Sequence, residues 1–144
     1  MSGIWSTWMR VWCWGVLAFG ALLTTAAIPP IDGLARALFV LFSGDPSTEA
    51  VFDLPAVRFG LGLQGALTIG WALTLFATLR AAEELGAIIW RPMALAVLAW
   101  YVIDSAISIS TGFALNAVSN TLLTIAFFVP LFATGALKRG KGAR

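Results

Sequence analysis

Four long apolar runs decide what this chain can become. Val11–Ile28, Ala56–Leu79, Pro92–Thr111 and Phe113–Leu137 each approach or exceed the roughly twenty residues that carry a helix across a bilayer. At about 1.5 Å of rise per residue, such a run crosses a hydrocarbon core of about 30 Å. Inside that core every backbone N–H and C=O must find its partner within the protein. No strand pattern is evident, so helices are the solution. The expected fold class is all-α integral membrane: a four-transmembrane-helix bundle forming a single membrane domain over residues 1–144. Only 11% of residues are charged, against about 25% in soluble domains, which agrees with that class.

The first run has some marks of a cleaved leader. Arg10 precedes it, and Thr25-Ala26-Ala27 resembles a cleavage site. It is long for the apolar part of a signal peptide, so it is read as a span.

Charge sets the expected orientation. With the N-terminus inside, the inner segments carry Arg10, Arg80, Arg91, Lys138, Arg139, Lys141 and Arg144. The outer segments carry only Arg36 and Arg58. Seven against two is the bias expected of cytoplasmic segments. Both termini are therefore expected on the cytoplasmic side of a bacterial inner membrane. Trp5, Trp8, Trp12 and Trp90 fall near the inner interface, where indole rings favour the headgroup level. Glu83 and Glu84 are expected in a short solvated inner loop.

The outer loop, Pro29–Pro55, contains "IDGLARALFVLFSG". Asp32 can act as an N-cap, and Gly44-Asp45-Pro46 is a stop. Ile31, Leu34, Ala35, Leu38 and Phe42 recur at helical spacing. The pattern predicts a short interfacial helix over about 31–43, lying on the outer surface or capping the bundle. A lid over a pocket is the alternative.

One acid lies within a span. Asp104 sits near the middle of the third run, where a charge costs at least a few kcal/mol. It must face the bundle interior and find partners. Ser108 and Thr111 share its helix face one and two turns on. The turn at Gly112-Phe113 is tight, so the third and fourth spans should be antiparallel neighbours. Counting outward from that turn places Asn120 at the depth of Asp104 and Asn116 at that of Ser108. Asn116, Asn120 and Thr124 form a facing stripe. Arg58, near the outer start of the second span, either reaches inward to keep the carboxylate ionised or snorkels to lipid phosphates. Trp100 borders the same space, one turn from Asp104. Trp71 is also too deep to be an interface anchor. The candidate site is a ligand-binding or structural polar cluster of Asp104, Ser108, Asn116, Asn120, Arg58 and Trp100. Interhelical glue is the bland reading of the same residues.

In the second span, Gly62, Ala66 and Gly70 recur every four residues and continue into Thr74 and Thr78. The stripe predicts close packing, against Gly15 and Ala18 of the first span or against another subunit. Gln64 lies off it and is expected to hydrogen-bond within the bundle. Pro130 should kink the fourth span.

The missing chemistry is informative. Histidine is absent, so Ser-His-Asp and Cys-His mechanisms are unavailable to this chain. A single cysteine, Cys13, excludes an internal disulfide and any CxxC site. One intramembrane acid cannot form a two-carboxylate dyad. No cofactor, metal or nucleic-acid partner is expected. The leading expectation is a non-enzymatic accessory or assembly subunit, or a binder of a small hydrophobic ligand or lipid. Its partners would be membrane lipids, other subunits or a second copy. The rival is a dimeric transporter or proton-coupled carrier that uses Asp104.

Overall fold

The four apolar runs form four helices long and apolar enough to cross a membrane. The chain is an all-helical membrane bundle, described by a computed structural model over residues 3–138. Arg139, Lys141 and Arg144, counted in the inner charge bias, lie outside the described residues. The helices are α1 (Gly3–Thr24), α2 (Gly33–Ser43), α3 (Glu49–Phe52), α4 (Pro55–Leu85), α5 (Ala87–Ser110) and α6 (Ala114–Thr134). Short 3-10 turns at Thr25–Ala27, Pro29–Ile31 and Pro46–Thr48 join the elements at the end of the bundle that the charge bias expects to be outer; the opposite end, where the described residues begin and end, is called inner.

Span limits differ from expectation where polarity was used as the boundary. α1 begins at Gly3 rather than Val11, because Arg10 interrupts hydropathy but not helix. α5 begins at Ala87 rather than Pro92, which becomes an internal residue. α4 has 31 residues, about 46 Å at the α-helical rise, well beyond a bilayer core. Its last turns carry Glu83 and Glu84, which were expected in a loop. Arg80 Nε bonds Glu84 Oε1 at 3.0 Å, one turn apart. The inner connection is Gly86 alone, at φ 63° and ψ −133°, a region essentially restricted to glycine.

The bundle is built as two pairs. α1 packs along α4, and α5 along α6; contact between the pairs is sparser. The α1–α4 seam depends on missing side chains. A Cβ on Gly65 would overlap the Thr24 backbone and lie 2.7 Å from the Gly20 carbonyl oxygen. One on Gly20 would lie 2.9 Å from Ile69 N, and one on Gly62 would lie 3.0 Å from the Ala27 Cβ. Within the bundle, this corrects the predicted stripe. Of Gly62, Ala66 and Gly70, only Gly62 is in the seam; Ala66 and Gly70 are exposed. Gly15 and Ala18 are exposed too, and Gly20 takes their expected place. A four-residue repeat rotates about 40° per step around a 3.6-residue helix and drifts off any one face. The buried positions of α4 instead run Gly62, Gly65, Ala72, Leu75, Leu79 and Ala82, steps of three, four and seven.

The inner half is filled. Met9, Trp12, Cys13, Leu79, Trp90, Phe127 and Leu131 form part of one buried cluster. Trp12 and Trp90 were expected as interface anchors, yet are 6% and 1% exposed. Their rings pack between helices, where removal from water and dense contact both stabilise. Trp8 keeps an exposed ring and donates its indole N–H to the Ala126 carbonyl at 2.8 Å.

The outer loop is locked by charge. Asp32 was expected to cap α2, but its carboxylate makes no cap bond. It meets Arg58 at 2.8 Å and Arg36 at 3.3 Å. Asp53 accepts from Arg36 at 2.7 Å and also pairs with Arg58. Both guanidinium groups lie over the buried Phe52 ring, with Cζ 4.4 Å and 5.2 Å from its centroid. Two arginines and two aspartates thus close a neutral cap around one aromatic ring.

Candidate functional site

Asp104, Ser108, Asn116 and Asn120 come together where α5 and α6 face each other. Asn120 Nδ2 donates to Asp104 Oδ2 at 2.6 Å. Asn116 Nδ2 donates to Ser108 Oγ at 2.8 Å and reaches Asp104 Oδ2 at 3.4 Å. Ser108 Oγ in turn donates to the Asp104 carbonyl at 2.7 Å. The tight turn explains this register. Phe113 N bonds Ser108 O at 2.7 Å, and Gly112 has φ 87°, so the helices reverse with almost no slack. Residues equally far from the turn must then share a depth.

The carboxylate is asymmetrically used. Both amides go to Oδ2. Oδ1 accepts from no side chain among the described residues and is not buried. Asp104 borders a cavity of about 430 Å³ that all four long helices line. Val16 and Phe19 face it from α1, Gln64 and Trp71 from α4, Trp100 and Asp104 from α5, and Asn120 from α6. A second chamber of about 200 Å³ adjoins it on the outer side. Phe19, Gln64, Asp104, Ile107 and Asn116 line both chambers, so Asp104 stands at their junction.

The two chambers have different walls. Leu38, Phe39 and Phe42 of α2 cover the outer one, and Phe39 packs 5.0 Å from Phe113 and 5.6 Å from Phe52. The ionic cap therefore holds the helix that forms the roof. Trp71 and Trp100, with centroids 5.4 Å apart, line the larger chamber. Beyond them Trp12 lies 6.1 Å from Trp71 and 5.2 Å from Phe127, which continues into the filled inner half. The chamber is closed toward that side.

Arg58 does not belong to this cluster. It was expected either to pair with Asp104 or to snorkel to lipid. Instead it binds Asp32, Asp53 and the Ala26 carbonyl, the last at 2.8 Å. Nearby loop acids and an unpaired carbonyl offered partners without a reach of more than a turn. Arg36 and Asp53 were not singled out from sequence. The spacings Asp32–Arg36 and Asp53–Arg58 were the available signal, since opposite charges four or five residues apart often meet near a helix start. Asp53 sits outside the spans. Hydrogen bonds from Arg36, then from Arg58, hold its carboxyl down to about 2.

Other expectations resolve individually. Trp100 lines the cavity beside Asp104. Thr111 lines the outer chamber and bonds back to the Ile107 carbonyl at 2.8 Å. Thr124 is buried, with Oγ1 unpartnered among the described residues. Gln64 was expected to bond within the bundle; it is exposed and lines the cavity, and its side-chain amide has no partner among the described residues. Ser105 was missed. Its Oγ lies 3.5 Å from Asn120 Nδ2. No cluster of three metal-ligating side chains exists among the described residues.

No family model, curated protein or solved structure matches the chain.

Proposed function

We propose that the chain is a non-enzymatic multi-pass protein of the bacterial inner membrane that binds a small hydrophobic ligand or lipid. Both termini lie in the cytoplasm in this reading, on the strength of the Lys/Arg bias. The single supporting observation is the cavity of about 430 Å³, lined by apolar and aromatic side chains around one hydrogen-bonded carboxylate. Ligand sites have this character: about 300–1,000 Å³, mostly apolar, with a few placed polar groups. Mere interhelical glue needs no such space.

The test is gentle detergent extraction followed by native mass spectrometry. A small molecule retained by the wild type and lost from Trp100→Ala is the expected result. If the preparation holds none, and a stoichiometric larger complex copurifies instead, the accessory or assembly subunit replaces the binder.

A second reading is a dimeric transporter or proton-coupled carrier. Asp104, which lines both chambers and whose Oδ1 accepts from no side chain among the described residues, favours it. Here Asp104→Asn folds normally and abolishes flux in liposomes. Unchanged flux or phenotype in that variant removes proton coupling.

A further inference from the structure

We infer that the ligand is a lipophilic amine, with an ammonium group at Asp104 and an apolar body in the larger chamber. This rests on the binder reading above and names the chemistry of its ligand. Three observations on α4, α5 and α6 carry it.

Asp104 is the only ionisable side chain among the residues lining either chamber. No lysine or arginine joins it there, so the wall offers no cation to a carboxylate or phosphate. Arg36 and Arg58, in the loop and helix start beside the smaller chamber, are neutralised by Asp32 and Asp53. Asn116 and Asn120 fix Oδ2, which leaves Oδ1 open to accept from a bound donor. A charge-assisted bond from an ammonium in this low-dielectric space is far stronger than one from an alcohol.

Gln64 supplies a second acceptor from the opposite pair of helices. Gln64 lines both chambers, and its amide has no side-chain partner among the described residues. An unpaired amide at membrane depth is costly unless a ligand or water answers it. The third observation is aromatic. Trp71 and Trp100 present tilted rings to the same chamber, and indole faces attract cations. Acid, amide and paired indoles converge on one class of headgroup.

The route follows from exposure. Leu67, Ile103 and Ile107 line the cavity yet are 67%, 60% and 55% exposed. The cavity therefore opens sideways between α4 and α5, toward lipid. A lipophilic amine partitioned in the outer leaflet would enter there without crossing water.

The experiment uses the full chain in phosphatidylcholine nanodiscs, titrated separately with dodecylammonium, dodecanol and dodecanoate. Saturable uptake is read by equilibrium dialysis. Dodecylammonium should bind at one per chain, and Asp104→Asn should weaken it by about tenfold or more while leaving dodecanol unchanged. Gln64→Leu, which removes no side-chain bond, should weaken the amine several-fold and serves if Asp104→Asn fails to fold. Equal affinity for the amine, alcohol and acid overturns the amine class and leaves the binder reading standing. Saturable uptake of none of the three overturns both. Replacing phosphatidylcholine with phosphatidylethanolamine separates the sources: displaced dodecylammonium assigns the amine to a lipid headgroup, and undisturbed binding assigns it to a free amine.

Discussion

The indole N–H of Trp8 lies 2.8 Å from the carbonyl oxygen of Ala126, the acceptor that Pro130 leaves without its helical donor. Proline lacks an N–H, so the carbonyl four residues earlier loses its bond. In a bilayer that orphan is expensive, and a neighbouring helix must answer it. Trp12 makes a similar bond to the Leu123 carbonyl at 2.9 Å. Two tryptophans of α1 thus bind the backbone of α6, one of them at the carbonyl that proline orphans.

Trp8→Phe should keep the ring and lose the bond. A stability loss of about 1 kcal/mol is expected, within the range measured for membrane hydrogen bonds. Pro130→Ala returns the helical donor. In that background Trp8→Phe should cost clearly less, which a thermal double-mutant cycle in detergent reads directly. Equal losses in both backgrounds would mean that Trp8 contributes only through its ring.

The α1–α4 seam reverses the four-residue stripe for two glycines: Gly65, outside the stripe, is in the seam, and Gly70, inside it, is not. Gly65→Ala puts a Cβ 2.7 Å from the Gly20 carbonyl and onto the Thr24 backbone, so the helices must part. Such overpacking costs about 1–3 kcal/mol. Gly70→Ala meets nothing within 4 Å and should be neutral or slightly stabilising, because alanine favours helix. Unfolding midpoints of the two variants check the contrast.

Legibility followed the strength of the local rule. Bilayer length and apolar runs were enough for the four helices, because hydrocarbon leaves the backbone few alternatives. The Asp104–Asn120 register was readable because the turn between α5 and α6 has no slack. The Gly62–Gly70 stripe failed as the α1 seam because a four-residue repeat drifts around the helix, while burial keeps to one face in steps of three, four and seven. Arg58 failed because its partners come from the folded outer loop, and long-range ion pairs leave little mark on a single sequence. Trp90 failed for a related reason: hydropathy places the residue at an interface but does not say whether its ring faces lipid or core.

Acid should loosen the outer cap. Asp53 titrates near 3.8 when unfolded and about 2 in the cap, held down first by Arg36 and then by Arg58. A depressed carboxylate stabilises above its unfolded value and loses that contribution as pH falls through its folded one. Hydrogen exchange over residues 46–54 should therefore be flat from pH 7 to about 4, after correction for intrinsic rates, and rise as pH falls toward about 2. Asp53→Asn should show raised exchange at pH 7. Protection that is unchanged at low pH would mean that Phe52 packing alone holds the cap.

The two asparagines around Asp104 are not equivalent, and their removal should show it. Asn120 is 4% exposed and donates the short 2.6 Å bond, whereas Asn116 spends its good geometry on Ser108 and reaches the carboxylate only at 3.4 Å. Asn120→Leu leaves Oδ2 with the long bond alone. The expected loss is about 1–2 kcal/mol, between the membrane average for a neutral bond and the usual worth of one to a charged group. Asn116→Leu should cost less than that, since the carboxylate keeps its better donor. Placing Asn120→Leu on Asp104→Leu removes the acceptor as well. The penalty for losing Asn120 should then shrink to packing, giving a coupling of about 1 kcal/mol by thermal unfolding in detergent. A coupling near zero would show that Asn120 stabilises α6 without reference to the acid, and that the register of the turn alone brings the two side chains together.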